Sequence, residues 1–490
     1  MRDVSRRTAL RTITASTAGF ALAGMVPTAS ANKHEPPSAD EVTVEDENVE
    51  YIEQDPDAGF NYPYFLYTPS SLSSDEESAK PIFVGPNNSP SSEDDYTIHL
   101  EHAKNSALGG RPRQIAERLN VPLLVPVFPR YRDNPERWYV YVQVLDPSTF
   151  NIEDSPLQRV DVQLLEMVKH ATARLEENGH TIASEIHIDG FSASGTFTNR
   201  FTILYPEHVN AASHGGTTVK TLPKTELDED VPAVGDPKWE QMSYPAGTEE
   251  GELPYPIGVA NLEELTGCSF NREAWLNTPQ YIYIGNEDRP EPGSGGHRSF
   301  ANLPPEDVQK VHPDDRPYGM PDLIDDIYGV ENIDERFEVS RAAYENVDAE
   351  VTITVYDGYG HTPRPAIDDL VEFHRNNMQD LDASDSIEIE CSAGEGEESS
   401  TATTTTETSN TADNATETSN TTDNTAEAPS TADNTTEAPS TADNTTGGAN
   451  GNDTVPDPTG DQGPGFGIVA ALSAMAGASY ILKRRFESET

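Results

Sequence analysis

From about Glu45 to Cys391 the apolar residues fall into two alternating patterns. One is the short run bounded by turn residues. In "KPIFVGPNNSP" an apolar strand ends at Val84 and a turn follows, and "VPLLVPVFP" holds another strand ending near Phe128. The other pattern returns every three to four residues. "RPRQIAERL" reads as helix, and "PLQRVDVQLLEMVKHATARLEENG" sets Val160, Leu164, Leu165, Val168 and Ala171 on one face. Pro156 suits the first turn of that helix and Gly179 its end. "EIHIDGFSASG" then reads as strand, turn and helix start. "PEHVNAASHGG", "QYIYIGNEDRPE" and "AEVTITVYDGYGHTP" read as three further strands, and "AIDDLVEFHRNN" as a closing helix. Strands and amphipathic helices in alternation predict one α/β domain over 45–391, a mostly parallel sheet flanked by helices. Residues 217–279, rich in Pro, Gly, Asp and Glu, break the rhythm. They predict an insertion over the sheet edge, either a cap or binding lobe or a decorated surface loop.

Three segments have no pattern for a core. Residues 1–31 have a basic head with Arg6 and Arg7, an apolar run, and small residues at Ala29 and Ala31, as an export signal does. The paired arginines behind Ser5 favour the twin-arginine route, which carries folded cargo. Residues 392–462 contain the ten-residue units "ETSNTADNAT", "ETSNTTDNTA" and two copies of "EAPSTADNTT". Without a large apolar residue these cannot stack, so they predict a disordered stalk with a mean reach of roughly 40 to 50 Å. Asn414, Asn420, Asn434, Asn444 and Asn452 each open an N-x-T glycan acceptor sequence. Residues 463–490 hold an apolar run from Phe466 to Leu482, followed at once by Lys483, Arg484 and Arg485. That run predicts a transmembrane helix with everything upstream outside the cell. Pro464, Gly465 and Phe466 before it resemble the Pro-Gly-Phe sorting signal of archaeal surface proteins. The resemblance implies a sorting enzyme as partner and either a retained helix or a lipid anchor in its place.

The formal net charge is −53, with the acidic residues spread through the globular span as well as the stalk. A surface of that kind repels a phosphate backbone, which excludes nucleic acid as partner. Molar salt screens the self-repulsion over about 3 Å, so the composition predicts a hypersaline home. The two cysteines, Cys268 and Cys391, leave a single disulfide open as a possibility, and no metal-ligand spacing occurs.

The chemistry concentrates in "GFSASG". A nucleophile elbow lifts a serine from a strand end into the start of a helix, and its neighbours two before and two after must be small. Ser192 fits, with Gly190 before it and Ser194 after it, followed by Gly195. Serine stands where glycine is usual at the second place. Taking Ser194 as nucleophile moves the turn into the helix and fits less well. A serine hydroxyl needs a base, and the base an acid to hold it. "YIYIGNEDRP" follows a strand with Gly285, Glu287 and Asp288, and "VTITVYDGYGHTP" follows one with His361. The chain order serine, acid, histidine, each after a strand, is that of α/β hydrolases.

On these residues the span from Phe60 to Asn377 resembles the α/β-hydrolase superfamily. The "GFSASG", "GNED" and "GYGHTP" turns resemble its esterase and polyester-depolymerase branches. The resemblance implies the α/β-hydrolase fold, no cofactor, Ser192 as nucleophile, Asp288 as acid and His361 as base. Glu287 is the rival acid and His297, in "GSGGHRS", the rival base. An oxyanion site needs two N–H donors. One would come from Ala193. The other belongs in "VGPNNSP", where the family often has a His-Gly run. Pro86 has no N–H, which leaves Asn87 or Asn88. Trp138, Tyr139 and Tyr141 either line an acyl pocket or alternate into core. The function expected is an exported, surface-anchored serine esterase working through an acyl-enzyme on a small-molecule or polymer ester. A serine peptidase is the runner-up enzyme. Outside enzymes, the alternative is a surface binding or structural glycoprotein on a degenerate hydrolase fold.

Overall fold

Eight short runs pair into one sheet: β1 (Val49–Ile52), β2 (Tyr64–Tyr67), β3 (Phe83–Val84), β4 (Leu123–Pro126), β5 (Ile186–Phe191), β6 (Val209–Gly215), β7 (Gln280–Gly285) and β8 (Val351–Tyr356). Their order across the sheet is β1-β2-β4-β3-β5-β6-β7-β8. β2 runs antiparallel to both β1 and β4, and every other pair is parallel. With helices packed on it, this sheet is the α/β-hydrolase fold expected from the sequence. The structure is a computed structural model that describes residues 35–72, 78–89, 94–131, 143–217, 219–228, 231, 233–288, 320–329, 333–379 and 381–383. The expected leader 1–31, the expected stalk 392–462 with its five acceptor sequences, residues 463–490, Cys391, His297, Trp138, Tyr139 and Tyr141 lie outside them. No helix among the described residues is long and apolar enough to cross a membrane.

The strands inside the sheet are buried on both faces, while the edge strands β1 and β8 are partly exposed. Every residue of β2, β4 and β7 is buried, the continuous apolar run that a covered parallel sheet requires. Three of the covering helices are α1 (Tyr96–Leu108), α2 (Arg111–Leu119) and α3 (Val160–Glu177). α3 starts at Val160 and not at Pro156, because Arg159 takes a left-handed conformation, φ 47° and ψ 55°. The guanidinium of Arg159 donates to Asp161 at 2.9 Å and to the Tyr205 hydroxyl at 3.0 Å, which holds the residue where a helical turn would otherwise form.

Helix α4 (Ala193–Leu204) follows β5 and is buried from Ser194 to Leu204. Its longest polar side chains are paired, while Thr198 Oγ1 is buried without a hydrogen-bond partner. Asn199 Nδ2 donates to the Tyr344 hydroxyl at 2.7 Å, its Oδ1 accepts from Thr221 N–H, and Arg200 donates to Val144 O at 2.7 Å. Residues 217–279 contribute Leu222, Leu253, Tyr255, Ile257, Leu262 and Trp275 to the same core as the sheet. Each such large apolar side chain contributes about 1.5–3 kcal/mol by leaving water. Cys268 is disulfide-bonded.

Register brings the strand ends together. Phe191 at the end of β5 pairs with Gly215, Gly215 with Tyr283, and Gly285 with Tyr356. The loops that follow β5, β6, β7 and β8 consequently leave one edge of the sheet side by side.

Candidate active site

Ser192 links β5 to α4 with φ 62° and ψ −124°. A non-glycine residue there is strained, and it persists only where its surroundings over-determine it. The surroundings do so. Ser192 N–H donates to Gly215 O at 2.9 Å, and Ser192 O accepts from Thr196 N–H at 3.0 Å. A Cβ on Gly190 would lie 2.0 Å from Ser194 O, so only glycine lets the backbone double back. Ser194 explains its own departure from the usual glycine. It accepts from Phe191 N–H at 3.0 Å and donates to Phe191 O at 2.9 Å, closing the turn with its hydroxyl. The second close approach falls one residue later, at Gly195, where a Cβ would sit 2.6 Å from Gly215 O. Ser194 is thus buried and engaged at both hydroxyl functions, whereas Ser192 is half-buried at the N-terminus of α4. The partial positive charge of that helix end lies beside it.

The loops after β7 and β8 are knitted by Asn286, which donates to Asp357 Oδ1 at 2.5 Å and accepts from Gly358 N–H at 2.8 Å. Glu287 N–H donates to Tyr359 O at 2.9 Å. These ties bring Asp288 and His361 together. His361 Nδ1 lies 3.1 and 3.0 Å from the two Asp288 carboxylate oxygens. Asp288 is buried and His361 exposed, with side chains 8 % and 38 % accessible. The rival Glu287 is exposed and turned to solvent. On the other side of the His361 ring lies Phe191, centroids 4.7 Å apart, the residue immediately before Ser192. Among the described residues no hydrogen bond joins Ser192 Oγ to His361. The structure therefore assembles the acid–histidine pair and sets it beside the elbow, while the serine–histidine contact is open.

The turn after β3 abuts the same place. Asn87 is buried; its Nδ2 donates to Phe128 O at 2.8 Å and its Oδ1 accepts from Phe128 N–H at 3.2 Å. Asn88 Nδ2 donates to Phe191 O at 3.2 Å. Ala193 is the first residue of α4, so its N–H has no acceptor within the helix. Both backbone donors expected from the sequence thus come from segments that meet at the elbow.

Sequence reasoning missed the charges beneath it. Asp189, three residues before Ser192, lies 2.8 Å from Arg111 and accepts from Ser213 Oγ at 2.7 Å. Burial raises its carboxyl, with Arg111 opposing. His374 is 2.9 Å from Ser213 Oγ and 3.1 Å from His187, and burial pushes His187 down to about 4. On β6, His214 meets the buried amine of Lys220 at 3.0 Å, and burial pushes that amine down to about 7. Asp189 and His187 stand in the quoted "EIHIDGFSASG", but strand alternation alone does not say what faces them. Among the described residues no group of three His, Cys, Asp or Glu suits a metal ion.

Residues 463–485 match the PGF-CTERM motif, which marks an exported surface protein. No curated protein sequence matches the chain. Among solved structures, a poly(3-hydroxybutyrate) depolymerase from Bordetella parapertussis is similar at 16% identity and TM-score 0.37, over 67% of this chain and 89% of that one. An S-formylglutathione hydrolase from Agrobacterium tumefaciens is similar at 13% identity and TM-score 0.35, over 68% and 95%. A poly(aspartic acid) hydrolase from Sphingomonas sp. KT-1 is similar at 12% identity and TM-score 0.35, over 68% and 98%. Likenesses of this size carry no substrate or activity across to this chain.

Proposed function

We propose that the protein is a surface serine hydrolase that cleaves carboxylic esters through an acyl-enzyme, with Ser192 as nucleophile, His361 as base and Asp288 as acid. The observation that carries this reading is the contact of His361 Nδ1 with both oxygens of buried Asp288, beside a positive-φ serine at a helix start. The carboxylate holds the proton on Nδ1 and leaves Nε2 as the acceptor. Nε2 takes the Ser192 proton as the hydroxyl attacks the ester carbonyl, and contacts of this kind commonly tighten only when substrate is bound. The N–H groups of Ala193 and Asn87 hold the tetrahedral oxyanion. His361 returns the proton to the leaving alcohol, then activates the water that releases the acid and restores Ser192.

The same proposal covers the ends of the chain. Residues 1–31 direct export by the twin-arginine machinery, and residues 392–462 form a stalk with glycans on Asn414, Asn420, Asn434, Asn444 and Asn452. A sorting enzyme acts on residues 463–490 and leaves the hydrolase domain, 45–391, anchored at the membrane with 217–279 as a lobe over the sheet edge. The open serine–histidine contact favours a second reading, a non-catalytic glycoprotein on this fold. Treating the folded chain in molar salt with a fluorophosphonate separates the two. Labelling is expected in the wild type and in Ser194→Ala, and lost in Ser192→Ala by peptide mass spectrometry. A wild type that takes no label establishes the second reading.

A further inference from the structure

A second serine–histidine pair lies next to the oxyanion turn, with its polarity reversed. Ser89 Oγ and His99 Nδ1 are 2.7 Å apart, and both residues are fully buried. The protonation of His99 follows from its other nitrogen, because Arg130 N–H donates to Nε2 at 3.3 Å. Nε2 is then an acceptor, the neutral ring carries its proton on Nδ1, and His99 donates to Ser89. Gln143 Nε2 donates to the same Ser89 oxygen at 3.1 Å. Ser89 accepts twice and is not activated by a base, so this pair is built to hold.

What it holds is the candidate oxyanion donor. Ser89 N–H donates to Gln143 Oε1 at 3.1 Å. Gln143 Nε2 also donates to Phe128 O at 2.7 Å, the carbonyl that accepts from Asn87 Nδ2 at 2.8 Å. One carbonyl therefore couples the Ser89–His99 pair to Asn87. One residue along the turn, Asn88 reaches Phe191 O beside the elbow. The turn is pinned to α1 through His99, to the segment after β4 through Phe128, and to the elbow through Asn88. A dipole that stabilises developing charge is effective only if it does not reorient during the reaction. This network supplies that constraint for a turn lacking any His-Gly run.

We propose that His99, acting through Ser89 and Gln143, is a positioning residue for the oxyanion site, keeping the Asn87 backbone N–H aimed at the reacting carbonyl. The proposal rests on the serine-hydrolase reading above. It is tested on the full chain in molar salt with Ser89→Ala, His99→Leu and His99→Asn, the last placing an amide N–H where Nδ1 stands. Hydrolysis of a p-nitrophenyl ester and the rate of fluorophosphonate capture at Ser192 are measured, with circular dichroism giving the folded fraction. Ser89→Ala and His99→Leu are expected to lower kcat and the capture rate about tenfold or more per folded molecule, with KM little changed. His99→Asn is expected to recover most of the loss. Wild-type capture with variant rates that equal wild type per folded molecule overturns the positioning role alone, as does an Asn variant no better than Leu. A wild type that captures no probe overturns the hydrolase reading, and this proposal with it.

Discussion

The two flanks of Ser192 are built in opposite ways. On one, Asn87, Ser89, His99 and Gln143 are all buried, and each is fixed by side-chain hydrogen bonds. On the other, His361 sits in a turn after the edge strand β8, its side chain 38 % accessible and its ring nitrogen tied to one carboxylate. Under the proposed chemistry the difference matches the tasks. Oxyanion donors gain from immobility, since rearranging dipoles during the reaction raises the barrier. A base that serves serine, leaving alcohol and water in turn needs access and some freedom. The open contact between Ser192 and His361 lies on the flank where movement is tolerable.

The largest effect expected comes from cutting the hydrogen bond between Asp288 and the His361 ring. Asp288→Asn should lower kcat/KM for an ester by about 10³-fold or more, because the amide no longer fixes the histidine tautomer. Glu287→Gln should leave it within about twofold. A damaging Glu287 change with a mild Asp288 change would show that the exposed flank works through a different carboxylate and would break the comparison.

A smaller effect, this time on stability, contrasts the flanks by their glycines. A Cβ on Gly190 would lie 2.0 Å from backbone oxygen, while one on Gly358, φ +77°, meets nothing within 4 Å. Gly190→Ala should therefore cost about 3 kcal/mol or more through overpacking that the buried elbow cannot relax. Gly358→Ala should cost about 1 kcal/mol, the conformational penalty alone. Denaturant midpoints in molar salt measure both. Equal losses would mean that the two flanks are equally rigid.

Where side-chain pattern and backbone demand coincide, the fold could be read directly. β5 through the elbow into α4 is such a place: apolar residues alternating with polar ones, then Gly190, Ser192 and Gly195 in a spacing that few other turns need. The strands that end at Gly285 and Tyr356 were equally legible, because their apolar runs stop at glycine-containing turns. β1 and β2 were not. "VEYI" and "YFLY" are four residues each, too short for periodicity to distinguish from loop. The late start of α3 was hidden because Arg159 is stabilised by Asp161 and Tyr205, and the latter partner is remote in sequence. Ser194 looked like a weakness of the motif, and only its bonds with Phe191 show that its hydroxyl replaces what a glycine would permit. His99 and Gln143 gave no signal because each is meaningful only through Ser89, which the turn after β3 and helix α1 bring within reach.

A further effect on stability asks how far the buried flank extends beneath the strand ends. Lys220 is wholly buried, its amine 3.0 Å from His214 Nδ1 and also bonded to Thr217 Oγ1, and His214 immediately precedes the Gly215 carbonyl that holds Ser192 N–H. Burial lowers the amine from 10.5 to about 7, so between those values the unfolded chain carries a proton that the folded chain has released. Stability then rises with pH across that window, since the unfolded state binds more protons there. The gain between pH 7 and pH 9 should be about 2 kcal/mol from this group. His187 and His214, both pushed down by burial, give up their part of the pH dependence below this window. Lys220→Met should accordingly flatten the rise, which denaturant melts at the two pH values measure directly. If the variant keeps the full slope, Lys220 is charged inside the fold or reached by water, and the rigid, dry flank ends above β6. A flattened slope places the limit of that flank below the strand, with the Lys220 amine neutral in a dry core beneath the Gly215 carbonyl that holds Ser192.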